Sequence, residues 1–193
     1  MRAVLRKAFL DMEGVLSDWD EASNQGLQVL RALQNASDRL RDFTAAEGGL
    51  GILSQVEDAE KVLRDRLIRS IERLHRALQP QMSALAAARD KMQKIIDNVV
   101  QEMLDLQAEC DPARLWSGAY PGQPSIAEMQ EWLQDWVSDV SREYGAREML
   151  MKGIGSDDGL KRAIDLWDAR LFFDPDRTNA RADAVKIHVT TAI

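Results

Sequence analysis

Between Ala8 and Thr44 apolar residues return on a seven-residue beat. Phe9, Leu16 and Leu30 share a row with Ser23, Ser37 and Thr44, and Met12, Trp19, Gly26, Leu33 and Leu40 form a second. A third row, beside the first, is apolar throughout: Ala8, Val15, Ala22, Val29, Ala36 and Phe43. Three positions in seven make a stripe wider than a two-stranded seam needs. The helix this predicts over Ala3–Ala45 is therefore expected to meet more than one neighbour. Ser23 and Gly26 interrupt the stripe midway, as a site of close approach or of local weakness.

The glycine-rich segment Ala45–Gly51 ends that helix. It has neither the preceding strand nor the lysine of a phosphate-binding loop, so it reads as a connector. Helical spacing resumes from Ser54 with Leu63, Leu67, Ile71, Leu74 and Leu78, and runs on through Met82, Leu85, Met92, Ile96, Val99, Met103 and Leu106 to about Glu109. Pro80 lies in the middle and either kinks one long helix or opens a second. A loop rich in glycine and proline follows Cys110.

The next stretch, PSIAEMQEWLQDWVSDVSREY (Pro124–Tyr144), holds two of the five tryptophans. Ser125 with Glu128 three residues on forms a capping box, which predicts a helix over Ile126–Lys152. At about 100° per residue, Ile126, Met129, Leu133, Trp136, Val137, Val140 and Tyr144 share a face. Glu128, Glu131, Asp135 and Asp139 lie on the far side, with Trp132 at the margin. Trp136 reads as core. Trp132, between an apolar stripe and an acidic row, reads equally as a covering residue or a partner contact. A short helix is expected from about Gly159 to Leu171, and another in the tail ADAVKIHVTTAI, although Val185, Ile187 and Val189 alternate as in a strand. The fold class is all-α: an elongated bundle of long, coiled-coil-like helices with shorter C-terminal helices. Residues 1–110 form its long-helix region, 111–124 a loop and 125–193 a C-terminal helical region, together one folded unit.

Composition changes this picture little. Charged residues make up 30% of 193, and the net charge of −7 argues against a broad basic face for nucleic acid. With 25 Lys and Arg, a local basic strip is still compatible with the sequence. The single cysteine excludes an internal disulfide and suits a reducing compartment. No apolar run approaches the roughly 20 residues of a membrane-spanning helix.

Candidate chemistry is sparse. Glu72 and His75 have the Glu-x-x-His spacing of di-iron bundles, but the second such motif is missing before His188. Asp174 and Asp176 begin like a calcium loop without its glycine and final glutamate, so DPDRTNARADAV reads as a turn. No nucleophile elbow, phosphate loop or Cys–His pairing occurs. Neither enzyme activity nor a cofactor or metal is expected.

Pro124, Ser125, Ile126, Ala127, Glu128, Met129, Glu131, Trp132, Leu133, Gln134 and Asp135 together resemble the signature of the AIRIM family, AAA-ATPase-interacting ribosome maturation factors. Tyr144, Arg147, Leu150 and Trp167 fit its continuation. Phe9, Val15, Trp19, Ala22, Leu30, Leu33 and Leu40 are similar more loosely, as are Leu63, Arg64, Leu67, Arg89, Asp90 and Met92. The chain departs from the pattern at Pro80, after Trp136 and in the tail.

The resemblance implies a non-catalytic helical subunit. Its expected partners are a small coiled-coil protein resembling the cyclin-dependent-kinase-interacting protein, a hexameric AAA ATPase of the unfoldase type and, indirectly, ribosomal precursor particles. No membrane or sequence-specific nucleic-acid contact is expected. The work implied is maturation of large-subunit precursors, with a link to protein turnover at replication forks, in cytoplasm and nucleus. Partner contact is expected through Glu131, Trp132, Asp135, Tyr144 and Arg147. A structural coiled-coil subunit of a tether or chromosome-associated complex is the alternative.

Overall fold

The computed structural model describes residues 1–45, 58–109 and 124–186. Those residues form five helices and no strand: α1 (Arg2–Ala45), α2 (Ala59–Glu109), α3 (Ile126–Gly153), α4 (Asp157–Ala169) and α5 (Pro175–Lys186). The all-α expectation holds, and the bounds of α1 and α3 differ from the expected ones by one residue at an end.

Other bounds differ for local physical reasons. Among the described residues α2 begins at Ala59, after Asp58, whose backbone is left-handed (φ 61°), and the expected start at Ser54 lies outside them. Residues 54–57, most of the glycine-rich connector and the 110–123 loop lie outside the described residues, as do Cys110 and His188. α4 starts earlier than Gly159, since the Ser156 hydroxyl accepts the Gly159 N–H at 3.1 Å and Asp157 and Asp158 face the positive helix end. It stops at Ala169, where Arg170 turns left-handed (φ 46°).

Pro80 does not break α2. The helix runs through it with the proline on the exposed side. A mid-helix proline costs about 3 kcal/mol or more. Leu78 and Met82, both buried, flank it and offset much of that cost.

The segment DPDRTNARADAV is not a turn but nearly all of α5. Asp174 caps it, its carboxylate accepting the N–H groups of Asp176 (3.0 Å) and Arg177 (3.2 Å). Pro175 fills the first helical position, where a missing N–H costs nothing. The helix predicted in the tail is borne out as far as Lys186, and residues 187–193 lie outside the described set.

The chain divides into two compact units drawn from separated segments. Unit 1 comprises Met1–Glu21, Leu85–Ala146 and Arg170–Ile193, and unit 2 comprises Ala22–Ala84 and Arg147–Ala169. In unit 1 the core takes Leu5, Phe9, Met12 and Trp19 from α1, Leu85 and Met92 from α2, Met129, Leu133, Trp136 and Val140 from α3, and Ala182 and Val185 from α5. In unit 2 it takes Leu30 and Leu33 from α1, Leu78 from α2, and Leu160, Ala163 and Trp167 from α4. Each large apolar side chain so enclosed contributes about 1.5–3 kcal/mol of burial. The wide α1 stripe is thus filled by different helices along its length.

Candidate interaction surface

The motif stretch becomes the first half of α3, and its start is built as the capping box requires. The Ser125 N–H donates to the Glu128 carboxylate at 2.7 Å, and the Glu128 N–H donates to the Ser125 hydroxyl at 3.1 Å. The bond from the Ser125 backbone, then that with its side chain, holds the Glu128 carboxyl below its ordinary pKa. Two N-terminal N–H groups that helix geometry leaves unpaired are satisfied in this way.

One turn separates two tryptophans with different surroundings. Trp136 is 1% exposed and meets Phe9 of α1 edge to face, with ring centroids 5.0 Å apart and planes at 76°. Its indole N–H has no acceptor among the described residues, so this side chain works through packing alone. Trp132 is half-buried. The Arg181 guanidinium of α5 stands 5.5 Å from its ring centroid and donates to Asp135 at 3.0 Å. One turn along, Arg177 pairs with Asp139. α5 therefore lies against the acidic side of α3, its arginines at 177 and 181 answering acids at 139 and 135.

Of the five expected contact residues, Glu131 is exposed, Trp132 and Asp135 are half-buried under Arg181, and Tyr144 is half-buried with the Arg89 guanidinium 4.5 Å from its ring centroid. These four belong to unit 1. Arg147 belongs to unit 2 and is 1% exposed, its guanidinium 4.6 Å from the ring centroid of Trp167. Such a site stabilises a cation through the ring face, and an enclosed side chain serves packing. The spacing of α3 alone could not separate Arg147 from the others, because its burial depends on α4.

Residues of α5 were missed as part of this surface. The signal for them was present in the sequence as Asp174 followed by Pro175, a helix start, with arginines four apart to match acids four apart. Among the described residues no cluster of three or more His, Cys, Asp or Glu could hold a metal, and His75 is a half-buried helix residue.

The model of the C1orf109-like ribosome biogenesis proteins matches residues 1–189. The chain belongs to that family. Among curated proteins, the AFG2-interacting ribosome maturation factor of Xenopus tropicalis is 26% identical over 157 residues, covering 78% of this chain and 74% of the frog protein. Membership places the capped α3 helix, with its inner and outer tryptophans, within a family of ribosome biogenesis proteins.

Proposed function

We propose that the chain is a non-catalytic adaptor subunit of an AAA ATPase of the AFG2 kind, acting on precursors of the large ribosomal subunit. The similar frog protein is named for both an AFG2 interaction and ribosome maturation. The observation that carries the surface assignment is the division of α3: Trp136 is spent on the core, while Trp132 keeps an accessible edge beside exposed Glu131. A large aromatic at the border of an apolar and a charged face suits an interface anchor. We assign contact with the ATPase, or with a small coiled-coil partner beside it, to Glu131, Trp132, Asp135 and Tyr144. Residence in cytoplasm and nucleus and a share in replisome turnover complete the proposal.

The test is a tagged pull-down with AFG2 together with ATPase stimulation by the added chain. Trp132→Ala is expected to weaken capture by about 2 kcal/mol if the residue is an anchor, with the melting of the free chain little changed. Full-strength capture by the variant would remove Trp132 from the interface. No effect of the wild-type chain on ATPase rate would favour a purely structural subunit.

A further inference from the structure

The first turns of α2 carry a charge pattern that the adaptor reading does not use. Between Ala59 and Ala77 six basic residues stand against three acids, in a chain where acids outnumber Lys and Arg by 32 to 25. The order within the segment is sharper than the count. At about 100° per residue, Arg66, Arg69, Arg73 and Arg76 fall within roughly 80° of one another around the helix. Their face is opposite the half-buried stripe of Leu63, Leu67, Ile71 and Leu74. All four are exposed, and they extend over about 15 Å of helix at 1.5 Å per residue.

Several arginines elsewhere are neutralised at close range. Arg31 meets Asp168, Arg41 meets Asp38 and Asp157, Arg170 meets Asp20, and Arg181 meets Asp135, each at 3.0 Å or less. On the α2 row, Arg66 and Arg73 have no ion pair among the described residues. Arg69 and Arg76 donate from Nε to the carbonyls of Asp65 (3.2 Å) and Glu72 (3.3 Å), and the one ion pair there, Arg76 to Glu72, is loose at 3.9 Å. The forks of the row are therefore largely unengaged. Cations three and four apart on one helix face also repel and weaken the helix. A polyanion lying along the row would remove that repulsion.

We propose that Arg66, Arg69, Arg73 and Arg76 form a strip that binds the phosphate backbone of RNA without regard to sequence. A backbone presents anions in series, which a linear row of guanidinium forks can meet, and Arg suits phosphate through paired N–H donors. RNA is the polyanion that a ribosome biogenesis family works beside. The strip lies in unit 2, whereas the four accessible residues assigned to the ATPase or its partner lie in unit 1. The two assignments can therefore fail separately.

Fluorescence anisotropy of a labelled single-stranded RNA, titrated with the full chain at salt between about 50 and 200 mM, tests this. Four phosphate contacts give a slope of log affinity against log salt near −3. Arg66→Ala/Arg73→Ala is expected to bring the slope to roughly half that value and to lower affinity by about tenfold at low salt. Alanine is the best helix former, so this variant should keep its helix content, checked by circular dichroism. Lys161→Ala/Arg162→Ala, an exposed basic pair of α4, should bind RNA as the wild type does. The proposal is overturned if the wild type binds no RNA at low salt, if the Arg66/Arg73 variant binds undiminished, or if the α4 variant loses as much. Tighter binding to polyglutamate or to duplex DNA than to RNA would also overturn it.

Discussion

The indole N–H of Trp167 donates a 2.9 Å hydrogen bond to the carbonyl of Ser23, and the same ring occupies the space that a side chain at Gly26 would need. A Cβ placed on Gly26 would stand 2.6 Å from Cζ2 of Trp167. Within α1, Ser23 and Gly26 are one turn apart, so a single ring uses both. The interruption of the α1 stripe is thus the seat of a tryptophan 144 residues away in the chain.

Two glycine substitutions in α1 should therefore act in opposite directions. In an exposed helix interior, Gly→Ala stabilises by about 0.5–1 kcal/mol. Gly14, with no atom within 4 Å of an added Cβ, should show that gain. At Gly26 the overpacking cost of about 1–3 kcal/mol exceeds it, so Gly26→Ala should be a net loss of about 1 kcal/mol. Urea denaturation of both single variants gives the two signs, and a gain at Gly26 would show that Trp167 moves aside easily.

Trp136 should be the costliest position in α3. Trp136→Ala empties a fully enclosed site and is expected to cost about 3–5 kcal/mol. Trp136→Phe should cost much less, because the lost N–H bonds to nothing among the described residues and the remaining ring can still face Phe9. Thermal melts of the pair check this, and equal losses would mean that the indole N–H has a partner after all.

At the start of α3, Ser125→Ala removes one half of the capping box and should cost about 1 kcal/mol. A change near zero would place the working helix start elsewhere.

Glu128 gives the pH dependence of the same cap. Its carboxyl is held below its ordinary value in the folded chain, so the unfolded chain binds the proton more readily. The stabilisation is thus fully present above the unfolded value, about 4.3, and is lost as pH falls through the lower folded value. The stability difference between wild type and Glu128→Gln should therefore be constant near neutrality and shrink in acid below about pH 4. A difference that grows on acidification would contradict the assignment.

Arg170 ends α4 in a left-handed backbone and pairs with Asp20 at 2.9 Å. Arg170→Ala and Arg170→Gly both lose the ion pair, so their difference isolates the backbone. Glycine should be the more stable by about 1 kcal/mol, the reverse of the order expected inside a helix. Denaturant midpoints of the two variants settle the order.

The long helices were legible because a stripe such as Phe9, Met12, Leu16 and Trp19 repeats over many turns, and the Ser125–Glu128 box marks its own start. α5 was legible only in its last turn, because its carboxylates invited a comparison with calcium loops while the run Asp174–Pro175–Asp176 spelled a capped helix. Its buried residues are only Thr178, Ala182 and Val185, too few to set up a periodic signal. Arg147 and Asp135 show the limit at the surface. Both are charged residues on one helix, and only the positions of α4 and α5 decide that the first is enclosed beside Trp167 and the second held by Arg181. Such burial is a long-range property that spacing within α3 does not contain.

Both units draw on segments from opposite ends of the chain: residues 1–21 share one with those from Arg170 on, and residues 22–84 share the other with 147–169. Synthesis runs from the N-terminus at about 5–20 residues per second, so α1 emerges well before α4 and α5 exist to cover its stripe. For some seconds Phe9, Trp19 and Leu30 belong to a nascent chain without their mature surroundings, which is a period of exposure to aggregation and to chaperone binding. The high sequence separation of these contacts also slows closure of either unit after release. A premature stop ahead of α4 would consequently harm the beginning of the chain as much as its end.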